Sequence, residues 1–199
     1  MLTGVDFPVL FSSASVGPPP LFRACYVGRL QMAKGVVYLL QAWKLPRAEL
    51  VLLGEVKPEV QSVLRTYADS TVPMTGFLSL QEVAKCYRES DLFVFPSVSE
   101  GLAEVLLEAM ATGLPVVATD KSGANDCLEH GKEGIIVPAR DVDAMADAIL
   151  WCYQHREESR AMGKAARARI ESEFTLDHCI ERQIALYRSL ARRQKAPAA

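Results

Sequence analysis

The chain has 199 residues, 50% hydrophobic and 23% charged, enough for one globular domain or slightly more. A formal net charge of −2 offers no basic field to nucleic acid, and the three scattered histidines (His130, His155, His178) fit no metal-ligand spacing. The five cysteines form no Cys-x-x-Cys pair and read as reduced thiols of a cytoplasmic protein; no apolar run reaches membrane-spanning length, and the N-terminus lacks a basic-then-apolar signal pattern.

Residues 1–20 end in Gly17-Pro18-Pro19-Pro20, which neither a helix nor a strand interior accepts, and read as a linker. A strand is expected near 22–27, ending at Gly28-Arg29, then a helix near 33–44 and a strand near 49–54. A helix near 57–67, a strand near 72–75 and a helix near 80–89 follow. Strands near 91–95, 115–119 and 134–137 alternate with helices near 103–112 and 141–154. Residues 157–193 are helical in pattern and rich in Arg, Ala and Glu. Such alternation implies an α/β fold: a Rossmann-like, doubly wound parallel sheet of about six strands with helices on both faces. The domain is expected over 21–174, with a C-terminal helix and tail over 175–199.

The stretch 92–120 carries the most chemistry. An apolar run ends in Pro96, Ser97 and Ser99, which are turn and cap residues. A helical pattern follows with Val105, Leu106, Ala109 and Met110 on one side. It stops at Gly113, and Pro115 opens the next apolar run. Ligands of doubly wound sheets sit at the carboxyl ends of the strands, where the next helix begins. Glu100 in the loop and Glu108 in the helix stand eight residues apart. At helical rise that is roughly 12 Å, the span of a sugar nucleotide with its diphosphate in the middle. Carboxylates accept hydrogen bonds from paired hydroxyls, and a helix N-terminus between them suits an anion. The plain alternative is two solvated helix formers. Arg29 directly follows the first strand at Gly28, and Lys34 stands beside Gly35 at the expected start of a helix. A planar fork and a point charge would thus reach one anion, unless both are ordinary surface cations.

SEGLAEVLLEAMATGLPVVATD, in this setting, resembles the E-x7-E segment of retaining glycosyltransferases of the GT-B fold, the group 1 family. CYVGRLQMAKG (25–35), LVLLGE (50–55), MTGFLSLQEVAKCYRESDLFVFPS (74–97) and EHGKEGIIVPARDVDAMADAI (129–149) resemble further family segments in the same order. TGVDF near the start resembles the family's passage between its two domains, which makes this chain the C-terminal, donor-binding domain of a two-domain fold. The resemblance implies transfer of a sugar from a nucleoside diphosphate sugar, UDP- or GDP-linked, with retention and without cofactor or catalytic metal. It gives Arg29 and Lys34 the task of neutralising the diphosphate. Glu100 would contact the transferred sugar, and Glu108 the ribose hydroxyls. Gly28, Gly101 and the backbone N–H groups of Leu102, Ala103, Glu104 and Val105 would face phosphates and sugar. Gly54, with Glu55, and Gly76, Phe77 and Leu78 would lie near the base; Phe77 fits the core equally well, and Gly101 an ordinary turn.

Departures are visible. The family's usual E-G-F-G reads Glu100-Gly101-Leu102-Ala103, so a methyl stands where bare backbone is usual. Glu104 occupies a usually apolar position and is expected to turn outward. The acceptor half of the fold, the expected partner and the only expected route to peripheral membrane contact, is not in this sequence. The expectation is therefore nucleotide binding without turnover. Phe174-Thr175-Leu176, Ile184, Leu186, Tyr187 and Leu190 resemble the family's last helix. An uncovered apolar face there would favour self-association, although packing on its own domain is the preferred expectation. The competing readings are a non-catalytic nucleotide-binding module and half of a sugar-nucleotide epimerase. A flavodoxin-like signalling domain would want an acidic cluster where Gly28-Arg29 stands.

Overall fold

The computed structural model describes residues 21–67 and 79–194. The expected linker over 1–20 and the expected strand near 72–75 lie outside the described residues, as do Gly76, Phe77 and Leu78. Among the described residues, five parallel strands form one sheet in the order β2-β1-β3-β4-β5. They are β1 (Phe22–Val27), β2 (Ala48–Leu53), β3 (Leu92–Phe95), β4 (Val116–Thr119) and β5 (Ile135–Val137). Every position of β3 and β4 is buried, as strands covered on both faces must be, which is why they read as unbroken apolar runs.

The helices are α1 (Val36–Ala42), α2 (Gln61–Thr66), α3 (Leu80–Arg88), α4 (Glu104–Ala111), α5 (Val142–Gln154), α6 (Arg156–Glu173) and α7 (Leu176–Gln194). The chain leaves β1 toward β2 in one direction, and leaves β3 toward β4 and β5 in the other. Right-handed crossovers then put α1 and α4 on opposite faces. α5 packs against α1 and α6 against α4, closing the two helical layers. The loops after β1 and β3 diverge at this reversal and leave a crevice at their carboxyl ends, where such sheets bind ligands.

The structure corrects two expectations. The first helix is not continuous over 33–44: a 3-10 turn (Met32–Lys34) precedes Gly35, and α1 begins after it. Gly35 has φ 67°, and a Cβ on it would lie 1.9 Å from the carbonyl oxygen of Pro96, so the backbone must break here to pass the β3 loop. Lys34 thus ends a turn instead of opening a helix. Nor does α7 bury its apolar side on this domain. Ile184, Leu186, Tyr187 and Leu190 are 42–63% exposed, because the α1–α5 and α4–α6 layers close without it.

Candidate functional site

Four loops, those after β1, β2, β3 and β4, are stitched together at the crevice. After β1, the hydroxyl of the buried Tyr26 donates to the Arg29 carbonyl at 2.8 Å, and Leu30 N donates to the Glu55 carbonyl at 2.8 Å. Gly54 approaches so closely that a Cβ would lie 2.0 Å from the Gly28 carbonyl oxygen; its place is explained by this backbone contact. The Ala33 carbonyl accepts from Val98 N (3.1 Å) and from the Ser97 hydroxyl (3.4 Å), joining the β1 and β3 loops. Glu100 N donates to the Lys121 carbonyl at 2.9 Å, and the Thr119 hydroxyl to the Ser97 carbonyl, which adds the β4 loop.

On this frame Lys34 Nζ pairs with Glu100 Oε2, and the ammonium stands 5.9 Å from the centre of the Phe95 ring. Burial first, and then the neighbouring Arg29 guanidinium, push the Lys34 ammonium below its ordinary value. Arg29 itself is exposed. Beside Glu100 opens a hollow of about 420 Å³ whose wall includes Asp120, Lys121, Asn125 and Asp126. Asp120 accepts from Ala139 N at 2.9 Å, and that bond holds its carboxyl below the usual range.

α4 begins at the mouth of the crevice. Its N-cap, Ala103, is extended and supplies no side-chain cap. By contrast, α3 closes its N-terminus with a Ser79–Glu82 capping box, and the Asp141 side chain caps α5. The positive end of α4 is therefore left for another acceptor. Gly101 is exposed, with open space where a Cβ would stand; Leu102, Ala103 and Val105 are half-buried against the core, and Glu104 is exposed. Glu108 lies one turn further on and turns to α3, where Oε2 accepts from the Tyr87 hydroxyl at 3.2 Å. The structure thus brings Arg29, Lys34 and Glu100 together. It sets the Glu108 carboxylate against Tyr87 of α3.

A model of the family described as "Glycosyl transferases group 1" matches residues 22–155, a span that includes all of these groups. The chain belongs to the group 1 glycosyl transferases. Sulfoquinovosyl transferase SQD2 of Arabidopsis thaliana is 33% identical over 161 residues, covering 79% of this chain and 31% of that protein. Sucrose-phosphate synthase of Thermosynechococcus elongatus has a similar structure, with a TM-score of 0.84 at 25% identity, covering 96% of this chain and 52% of the other. HepE of Anabaena, solved in complex with UDP-glucose, gives a TM-score of 0.77 at 21% identity, over 90% of this chain and 54% of its own. The chain spans less than half the length of curated relatives that it matches. Its Rossmann-like sheet is that of GT-B glycosyltransferases.

Within this group 1 domain, sequence reasoning missed two features. The Lys34–Glu100 pair joins residues of separate loops, and no local pattern announces it. Tyr87 sits inside a segment that resembles the family, yet a tyrosine on the buried side of a helix reads as core, and only its hydroxyl contact with Glu108 sets it apart. Among the described residues, no group of three or more His, Cys, Asp or Glu is placed to hold a metal ion, and no helix is long and apolar enough to cross a membrane.

Proposed function

We propose that this chain is the C-terminal, donor-binding domain of a retaining GT-B glycosyltransferase and that it binds a nucleoside diphosphate sugar in the β1–β3 crevice. Arg29 beside Lys34, with Lys34 paired to Glu100 of the β3 loop just before the uncapped α4, carries this reading. The two cations and the helix end would neutralise the diphosphate and stabilise it as leaving group without a metal ion. Glu100 would receive a sugar hydroxyl while releasing Lys34 to the phosphate, and Glu108 the ribose hydroxyls. Gly28, Gly101 and the backbone of residues 102–105 would line the path between. Gly54 and the segment holding Phe77 and Leu78 would flank the base. The UDP-glucose complex of HepE supports a nucleotide sugar as donor.

The rest of the reading concerns what surrounds the domain. The acceptor half would come from a second Rossmann-like domain, with the exposed face of α7 meeting it or a second copy of the chain. Five free cysteines support a reducing, cytoplasmic setting. The 199-residue chain by itself would bind nucleotide without transferring sugar. Calorimetric titration with UDP, GDP and ADP tests the site and names the base together. One diphosphate should bind more tightly than its nucleoside; no binding of any of the three would overturn the proposal, and sugar transfer by this chain alone would overturn its last clause.

A further inference from the structure

Tyr87 is 1% exposed, wedged between α3, β3 and α4, with its ring edge-on to Phe93 at 5.7 Å. Burying a phenol hydroxyl costs free energy unless it is bonded. The single hydroxyl hydrogen is shared between Glu108 Oε2 at 3.2 Å and the Val105 carbonyl at 3.3 Å, both on the first two turns of α4. α3 is itself held in register by its capping box at Ser79 and Glu82. Tyr87 is therefore a rigid donor aimed at a half-buried carboxylate from a neighbouring helix.

We propose that Tyr87 is the positioning residue for Glu108: its hydroxyl fixes the Glu108 carboxylate in the rotamer that accepts hydrogen bonds from the ribose. This rests on the assignment of Glu108 to the ribose. An untethered glutamate side chain samples several rotamers, and holding one in advance spares the ligand that ordering cost. Engaging Oε2 leaves Oε1, and the second lone pair of Oε2, for the two vicinal hydroxyls. The bond also favours the ionised form of Glu108, which burial opposes.

The test uses the full 199-residue chain. The probes are whichever of UDP, GDP and ADP binds best, and its 2′,3′-dideoxy form, titrated into wild type, Tyr87→Phe and Glu108→Ala. The ring packing survives in Tyr87→Phe, so the dideoxy affinity serves as the folding control. The expected result is that Tyr87→Phe weakens the ribonucleotide about three- to tenfold, as loss of an orienting bond to a charged group should, and leaves the dideoxy form unchanged. Full ribose discrimination in Tyr87→Phe, with none in Glu108→Ala, would overturn the role of Tyr87 and leave Glu108 on the ribose. Equal weakening of both ligands would mean a purely structural tyrosine and overturns the proposal. A wild type that does not discriminate the two forms, or binds neither, overturns the ribose assignment and this proposal with it. A second measurement needs no change at Tyr87: a buried hydroxyl bonded to a carboxylate exchanges slowly and gives a resolved proton resonance. That resonance should vanish in Glu108→Ala, and its persistence there would contradict the contact.

Discussion

Lys34 and Glu100 face each other across the β1–β3 crevice, so a diphosphate arriving at Lys34 competes with a carboxylate already there. Their side chains are 18% and 27% exposed, and a partly solvated pair of this kind is worth up to about 1 kcal/mol. Glu100→Gln should therefore tighten the bare nucleoside diphosphate, by up to about fivefold, while giving the sugar nucleotide less or nothing, since it also loses a sugar contact. Weaker binding of the bare diphosphate would contradict the competition. Glu108 tests a different term. Burial pushes its carboxyl above the ordinary 4.5, Glu104 adds to the shift, and the Tyr87 bond opposes it. An acid that holds its proton more tightly in the folded state loses stability as pH rises from 4.5 through the raised value, and the loss persists above it. Glu108→Gln should raise the melting temperature at neutral pH and leave it unchanged below 4.5. Thermal melts across that range check it, and a lower melting temperature at neutral pH would mean that the carboxylate stabilises the fold.

The turn between β1 and α1 shows what an element needs from single positions. Gly35→Ala forces an L side chain into φ 67° against the Pro96 carbonyl, and should cost at least about 1–2 kcal/mol in a denaturant titration. Gly101→Ala adds a methyl to open space at ordinary φ and should leave stability unchanged, so any loss of nucleotide affinity there reports a ligand against that backbone. The same elements explain what was legible beforehand. β3 and β4 stand out because strands buried on both faces are unbroken apolar runs, and Pro96, Gly113 and Pro115 punctuate the helix between them. The break at Gly35 was hidden, because the carbonyl that forces it belongs to a loop far along the chain. The crevice, with Arg29, Glu100 and the start of α4 on its rim, followed from strand–loop–helix order alone. Contacts between segments far apart in the chain, such as Lys34 with Glu100 across two loops or Tyr87 with Glu108 across two helices, depend on the register of parallel strands, which local pattern does not encode.

At the scale of the molecule, the sheet reversal between β1 and β3 decides where chemistry can happen. The two cations, the Glu100 carboxylate and an uncapped helix N-terminus all fall at that reversal. In the proposed reading they would make half of a transfer site, and among the described residues the apolar face of α7 stands exposed on the same domain. Binding and transfer should therefore separate, with nucleotide held here and turnover requiring the acceptor half. The central claim is that Arg29 and Lys34 hold the diphosphate. It is tested most directly by titrating the best-binding nucleoside diphosphate and its parent nucleoside into wild type, Arg29→Ala and Lys34→Ala. Each substitution should weaken the diphosphate about tenfold or more and leave the nucleoside unchanged, as loss of a charge-assisted phosphate bond requires. Unchanged diphosphate affinity in both variants would contradict the account.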